Sequence, residues 1–82
     1  MKKERVDVMV GTYHQCECFS FDACYEDYKD LIDKTKEECK RRYKKYCLLN
    51  IFLEDGTYLQ KGRNKWEYVD NRRPDEIITE IQ

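Results

Sequence analysis

Proline, serine and alanine occur once each in these 82 residues, at Pro74, Ser20 and Ala23, and glycine occurs three times. That scarcity excludes Pro/Gly/Ser linkers and low-complexity tracts, and the length leaves room for one domain. His14 is the only histidine and Ser20 the only serine, so no Ser-His-Asp set with a spare member can be assembled. With Gly11, Gly56 and Gly62 alone available, neither a P-loop nor a dinucleotide fingerprint is present. No stretch approaches the roughly 20 apolar residues of a membrane span. The opening residues hold no apolar h-region, and the cysteines are odd in number at five. The expectation is a cytosolic chain with reduced thiols and no membrane partner. Net charge is nearly absent as well, because 16 Lys and Arg stand against 17 Asp and Glu. Leu, Ile, Val and Phe number 17, close to the roughly 20% floor of foldable chains, with seven Tyr, Trp66 and the cysteines in support. Such a core has little to spare around an enclosed active site, and the acids show no paired acid–base spacing. No catalytic residue is expected, and the chain is read as a non-enzyme.

What is present is strongly patterned. Residues 5–21 read as a hairpin, with Val6, Val8 and Val10 alternating on one strand and Phe19 and Phe21 on the other. A two-residue turn at His14-Gln15 would set Val10 opposite Phe19 and Val8 opposite Phe21. Residues 22–46 read as one helix, capped by Ser20 or Asp22. Its buried stripe is Cys24, Tyr28, Leu31, Ile32, Thr35, Cys39, Tyr43 and Tyr46. Residues 22–33 hold five acids and one Lys, and residues 34–46 seven bases and two acids, the order the helix dipole favours. Residues 47–70 read as a three-stranded meander with two-residue turns at Asp55-Gly56 and Arg63-Asn64. Those turns would put Leu49, Ile51, Leu53, Tyr58 and Val69 on one face and Leu48, Phe52, Leu59, Trp66 and Tyr68 on the other. In the tail, residues 71–82, Pro74-Asp75-Glu76 opens a short helix with Ile77, Ile78 and Ile81 as its stripe. The fold class is α+β: a β-β-α-β-β-β order, with about five antiparallel strands and one long helix on one face.

Four groups of residues invite a chemical reading. His14, Cys16, Cys18 and Cys24 are zinc-ligand types, but strand positions two apart lie roughly 6.6 Å from each other and zinc knuckles favour Cys-x₂-Cys. No metal or other cofactor is therefore expected, and these four stand only as zinc candidates beside the reading of packed thiols. Cys24, placed in the first helical turn, is a candidate reactive thiol with His14 as its base. The run Lys40, Arg41, Arg42, Lys44 and Lys45, joined by Lys61, Arg63 and Lys65 at the same end, makes a basic pole for phosphate, opposite acids at Asp22, Glu26, Asp27 and Asp30. Tyr46 and Trp66 would stack bases there. Last, Phe52, Trp66 and Tyr68, with Leu48, Leu59, Met9 and Tyr13, form a second apolar sheet face. Its occupant is the isoleucine tail, a second copy or a foreign protein.

Residues 48–70, running Leu-Leu-Asn-Ile-Phe-Leu-Glu-Asp-Gly-Thr-Tyr-Leu-Gln-Lys-Gly-Arg-Asn-Lys-Trp-Glu-Tyr-Val-Asp, resemble the C-terminal meander of small phage-encoded anti-CRISPR proteins. Those proteins also follow a long helix with a strand, a Gly turn, an aromatic strand, a charged turn and a Trp-bearing strand. The resemblance covers about a quarter of the chain and implies a non-catalytic inhibitor of phage or mobile-element type. Such a protein sterically blocks a host nucleic-acid-handling protein or ribonucleoprotein. The contacts it implies are Lys61, Arg63, Lys65, Trp66 and Tyr68, to which the apolar face adds Phe52. The two other readings are a nucleic-acid-binding domain using the basic pole and a zinc-stabilised interaction module.

Overall fold

The alternating valines do form a strand. In the computed structural model, which describes residues 1–70 and 78–81, β1 (Lys2–Gly11) pairs antiparallel along its whole length with β2 (Cys16–Tyr25). Val8 stands opposite Phe19 and Val6 opposite Phe21, two residues away from the register a His14-Gln15 turn requires. The connection is a four-residue loop, in which the Gln15 carbonyl accepts hydrogen bonds from the Thr12 amide and hydroxyl, both at 2.8 Å. A slip of two is a full strand period, so every side chain keeps its expected face.

The second strand runs on to Tyr25, and the helix, α1, spans Tyr28–Arg42 rather than 22–46. Ala23 and Tyr25 complete the helix-facing row of β2 and are buried there, which outweighs any capping offer from Asp22 or Ser20. The cap is Asp27, whose carboxylate accepts from the Asp30 amide at 2.8 Å, while Asp30 accepts from the Glu26 amide at 3.1 Å. Leu31, Ile32, Thr35 and Cys39 face the sheet as their spacing dictates. The buried Thr35 hydroxyl donates to the Leu31 carbonyl one turn back. Tyr43 and Tyr46 leave the helix but still pack against the core.

The sheet is completed by β3 (Cys47–Phe52), β4 (Tyr58–Lys61), β5 (Trp66–Val69) and β6 (Ile78–Ile81), in the order β2-β1-β3-β4-β5-β6 with every neighbour antiparallel. Two local features decide which side chains reach α1. Met9 pairs with Asn50 but Val10 with Leu48, so Leu49 is an extra residue in β3 and Leu48 joins Ile51 in the core. The β3–β4 loop holds three residues, Glu54, Asp55 and Gly56. Leu53 and Thr57 close it through an amide-to-carbonyl bond of 2.9 Å, and Gly56 takes φ 90°.

That loop sets Ile51 opposite Leu59, one residue away from the two-residue Asp55-Gly56 register, and a one-residue slip reverses faces. The β4–β5 turn at Arg63-Asn64 forms as expected, with Lys61 opposite Trp66. Leu59, Trp66 and Tyr68 therefore join the helix-side core and not the second face. Trp66 is 8% exposed, and Tyr68 stacks on Tyr28 with centroids 5.1 Å apart. The face turned away from α1 carries Phe52 and Tyr58, rings 5.7 Å apart, with Val69. The tail is corrected as well. Ile78–Ile81 is a strand along β5, not a helix, in keeping with a run rich in β-branched residues that satisfies the β5 backbone. The helix start expected at Pro74-Asp75-Glu76 lies outside the described residues, as does Ile77.

Candidate nucleic-acid interface

Antiparallel pairing brings three connections to one end of the sheet: residues 12–15, 43–46 and 62–65. The first presents Tyr13, 88% exposed, with the His14 ring edge-on at 5.1 Å. The second follows the last helical turn, which holds Lys40, Arg41 and Arg42, and adds Lys44, Lys45 and the half-buried Tyr46. The third carries Arg63 and Lys65 and is preceded by Lys61. The expected assembly of these eight cations at one end is thus present in the topology.

Their electrostatic state is uneven. Lys40 pairs with Glu37 at 3.9 Å, Arg41 and Arg42 both engage Glu38, and Lys65 meets Glu80 at 3.1 Å. The Arg42 guanidinium also covers the Phe19 ring at 4.3 Å. Among the described residues Lys44, Lys45, Lys61 and Arg63 have no carboxylate within 4.0 Å. Exposed ion pairs such as Lys40–Glu37 are worth roughly 0–1 kcal/mol, so a phosphate can replace the glutamate at little cost.

Two shallow clefts meet at Tyr46. One is lined by Gly11, Thr12, Tyr13, Lys45, Tyr46 and Cys47. The other is lined by Lys40, Arg41, Arg42, Tyr43, Lys44 and Tyr46. The result is a strip in which tyrosines alternate with cations. Tyr13 belongs to this strip and not to the second sheet face, while Trp66 cannot stack a base because it is packed in the core.

The thiols are placed differently from expectation. Cys16 and Cys47 lie opposite Gly11 on its two sides, and Cys18 lies opposite Met9, all exposed. Cys24 is opposite Lys3 in β2, eight residues and roughly 26 Å along the strand from Cys16. It is therefore neither in a helical turn nor near His14, so the base–nucleophile couple does not assemble. Nor do His14, Cys16, Cys18 and Cys24 share a zinc geometry. Among the described residues no three His, Cys, Asp or Glu side chains converge as metal ligands.

The opposite end is partly neutralised. Asp22 meets Arg5 at 3.1 Å, and Asp30 meets Lys34 at 3.0 Å, a contact that with the Glu26 amide holds the Asp30 carboxyl below its usual range. Burial raises the Tyr43 and Tyr46 hydroxyls, which remain protonated donors at neutral pH. Tyr25 is pushed up to about 12, first by burial and then by the Glu4 carboxylate. A phenol that binds its proton more tightly when folded contributes full stability below its ordinary pKa of 10.0, and loses that contribution as pH rises to about 12. Urea midpoints measured at rising pH are expected to fall across that window, and Tyr25→Phe to flatten the fall.

The chain is thus an α+β domain with a cationic, tyrosine-lined end. No family model, curated protein or solved structure matches it.

Proposed function

We propose that this is a small non-catalytic binding protein that engages the nucleic-acid strand of a ribonucleoprotein or other nucleic-acid-handling complex. It acts as a stoichiometric steric inhibitor of the anti-CRISPR-like kind. The observation that carries the reading is the meeting at Tyr46 of two clefts that alternate Tyr13, Lys45, Lys44 and Arg41 on one exposed strip. Lysine and arginine there neutralise phosphates, and Tyr13 offers a ring to a base, a pairing that suits single strands and is tolerant of sequence. The near-neutral total charge does not oppose this, because the cations are gathered at one end.

Fluorescence anisotropy of the full chain with a labelled 12-nucleotide single strand tests the reading. Binding at 50 mM salt should weaken steeply by 200 mM, with a log–log slope of about −3 for four phosphate contacts. No binding at 50 mM, or binding indifferent to salt, overturns it. That outcome would favour a second reading, docking on a host protein through Phe52 and Tyr58, whose ring contact places two half-buried aromatics on the face away from α1.

A further inference from the structure

One edge of the sheet is β2, whose ten residues pair with β1 alone among the described strands. Folded proteins ordinarily protect so long an edge with charged side chains, lysine above all, or with proline, a bulge or brevity, and β2 holds only Glu17 and Asp22 as charges. Along β2 there is no Lys, Arg or Pro, its pairing with β1 is unbroken, and Phe19 and Phe21 are only half-buried. The opposite edge, β6, is four residues long.

We infer that β2 is a self-association edge whose occupant is the β2 of a second copy, antiparallel about a two-fold axis normal to the sheet. Such an axis keeps both helices on one side, so residues of like parity face one another. The register centred on Ser20 is the one that sets Phe19 against Phe21 of the other copy twice, giving two aromatic cross-strand pairs. In that register Glu17 faces Ala23 and Asp22 faces Cys18, so no like charges oppose each other, and Asp22 already has Arg5 as its counter-ion. Cys16 comes opposite Cys24. The seam joins about nine residues per copy, well under the 20–30 a side of a standard interface, so the association is of the weak, concentration-dependent kind. The two cationic ends then point in opposite directions, roughly 26 Å apart along the seam.

Sedimentation equilibrium of the full chain from about 5 to 500 µM tests this, and a reversible monomer–dimer equilibrium is expected. Ser20 sits on the axis with its hydroxyl donating to Asp7. Ser20→Lys keeps an Asp7 partner within the monomer but sets two ammonium groups opposite each other, and should weaken the dimer at least tenfold with an unchanged urea midpoint. Diamide oxidation at high concentration followed by peptide mapping should recover the Cys16–Cys24 cross-link between copies, which does not depend on the variant folding. A monomer throughout the range, a dimer indifferent to Ser20→Lys, or cross-links confined to Cys47 would each overturn the inference. None of these outcomes depends on nucleic-acid binding.

Discussion

Trp66→Ala is expected to lower the unfolding free energy by about 3–5 kcal/mol, the range for deleting a large buried ring. Trp66 lies opposite Ile81 on one side and Lys61 on the other, within the cluster that includes Ile51, Leu59 and Leu31. An 82-residue domain at about 0.05–0.15 kcal/mol per residue has roughly 4–12 kcal/mol in total. The variant would therefore lose about a quarter or more of its stability, and a urea midpoint drop of about 2–4 M is the readout. Trp66→Phe should lose far less, because it keeps an apolar ring and removes an indole N–H that is buried without a hydrogen-bond acceptor among the described residues. An alanine variant with an unmoved midpoint would show that the indole is not part of the core. Loss of partner binding in Trp66→Ala alone would say nothing about an interface, since unfolding produces the same result.

The position of Trp66 turns on one residue of loop length. Asp55-Gly56 fits a two-residue turn and equally a three-residue loop ending in left-handed glycine, and the two choices place Leu59, Trp66 and Tyr68 on opposite faces. The apolar alternation of the two strands does not separate them. The difference lies in the Asp55 carboxylate, which accepts from the Thr57 amide at 3.0 Å, and in the core gained when Leu59 meets Ile51. The extra residue at Leu49 is equally silent in the sequence, for it satisfies long-range pairing with Met9 and Val10.

Features that depend on short-range periodicity were legible: the apolar stripe of α1, the faces of the hairpin and the Arg63-Asn64 turn. The start of α1 was not, because Asp22, Glu26, Asp27 and Asp30 crowd one stretch and any could serve a helix start. Pairing of Ala23 with Glu4 and Tyr25 with Lys2 extends the strand and leaves Asp27 to cap. Cys24 changed environment for the same reason. At the cationic end the contiguous run from Lys40 to Lys45 was legible as charge. Glu37 and Glu38 stand at helical i+3 and i+4 spacing from Lys40, Arg41 and Arg42, so those pairings follow from the helix itself, whereas Lys65 meets Glu80 only through the pairing of β6 with β5.

That division between neutralised and open cations dictates the variant with the largest expected effect on binding. Replacing Lys44, Lys45, Lys61 and Arg63 together by Gln should reduce single-strand affinity about 100-fold at 50 mM salt and cut the log–log slope by about 3. The four side chains are exposed and make no ion pair among the described residues, so each change should stay within about 0.5 kcal/mol in stability. Lys40, Arg41 and Arg42 are the wrong choice, because their loss strands Glu37 and Glu38 at the negative end of the helix dipole. Net charge falls from −1 to −5 as four positive charges are lost, and general repulsion from nucleic acid must be separated from the loss of contacts. Lys3→Gln with Lys29→Gln removes two exposed cations outside this end, and its counterpart is Lys44→Gln with Lys45→Gln. The two doubles have equal net charge, so a tenfold gap in affinity between them isolates the strip around Tyr46. Equal losses would instead mean that the end of the sheet recognises nothing and only the overall field attracts the strand.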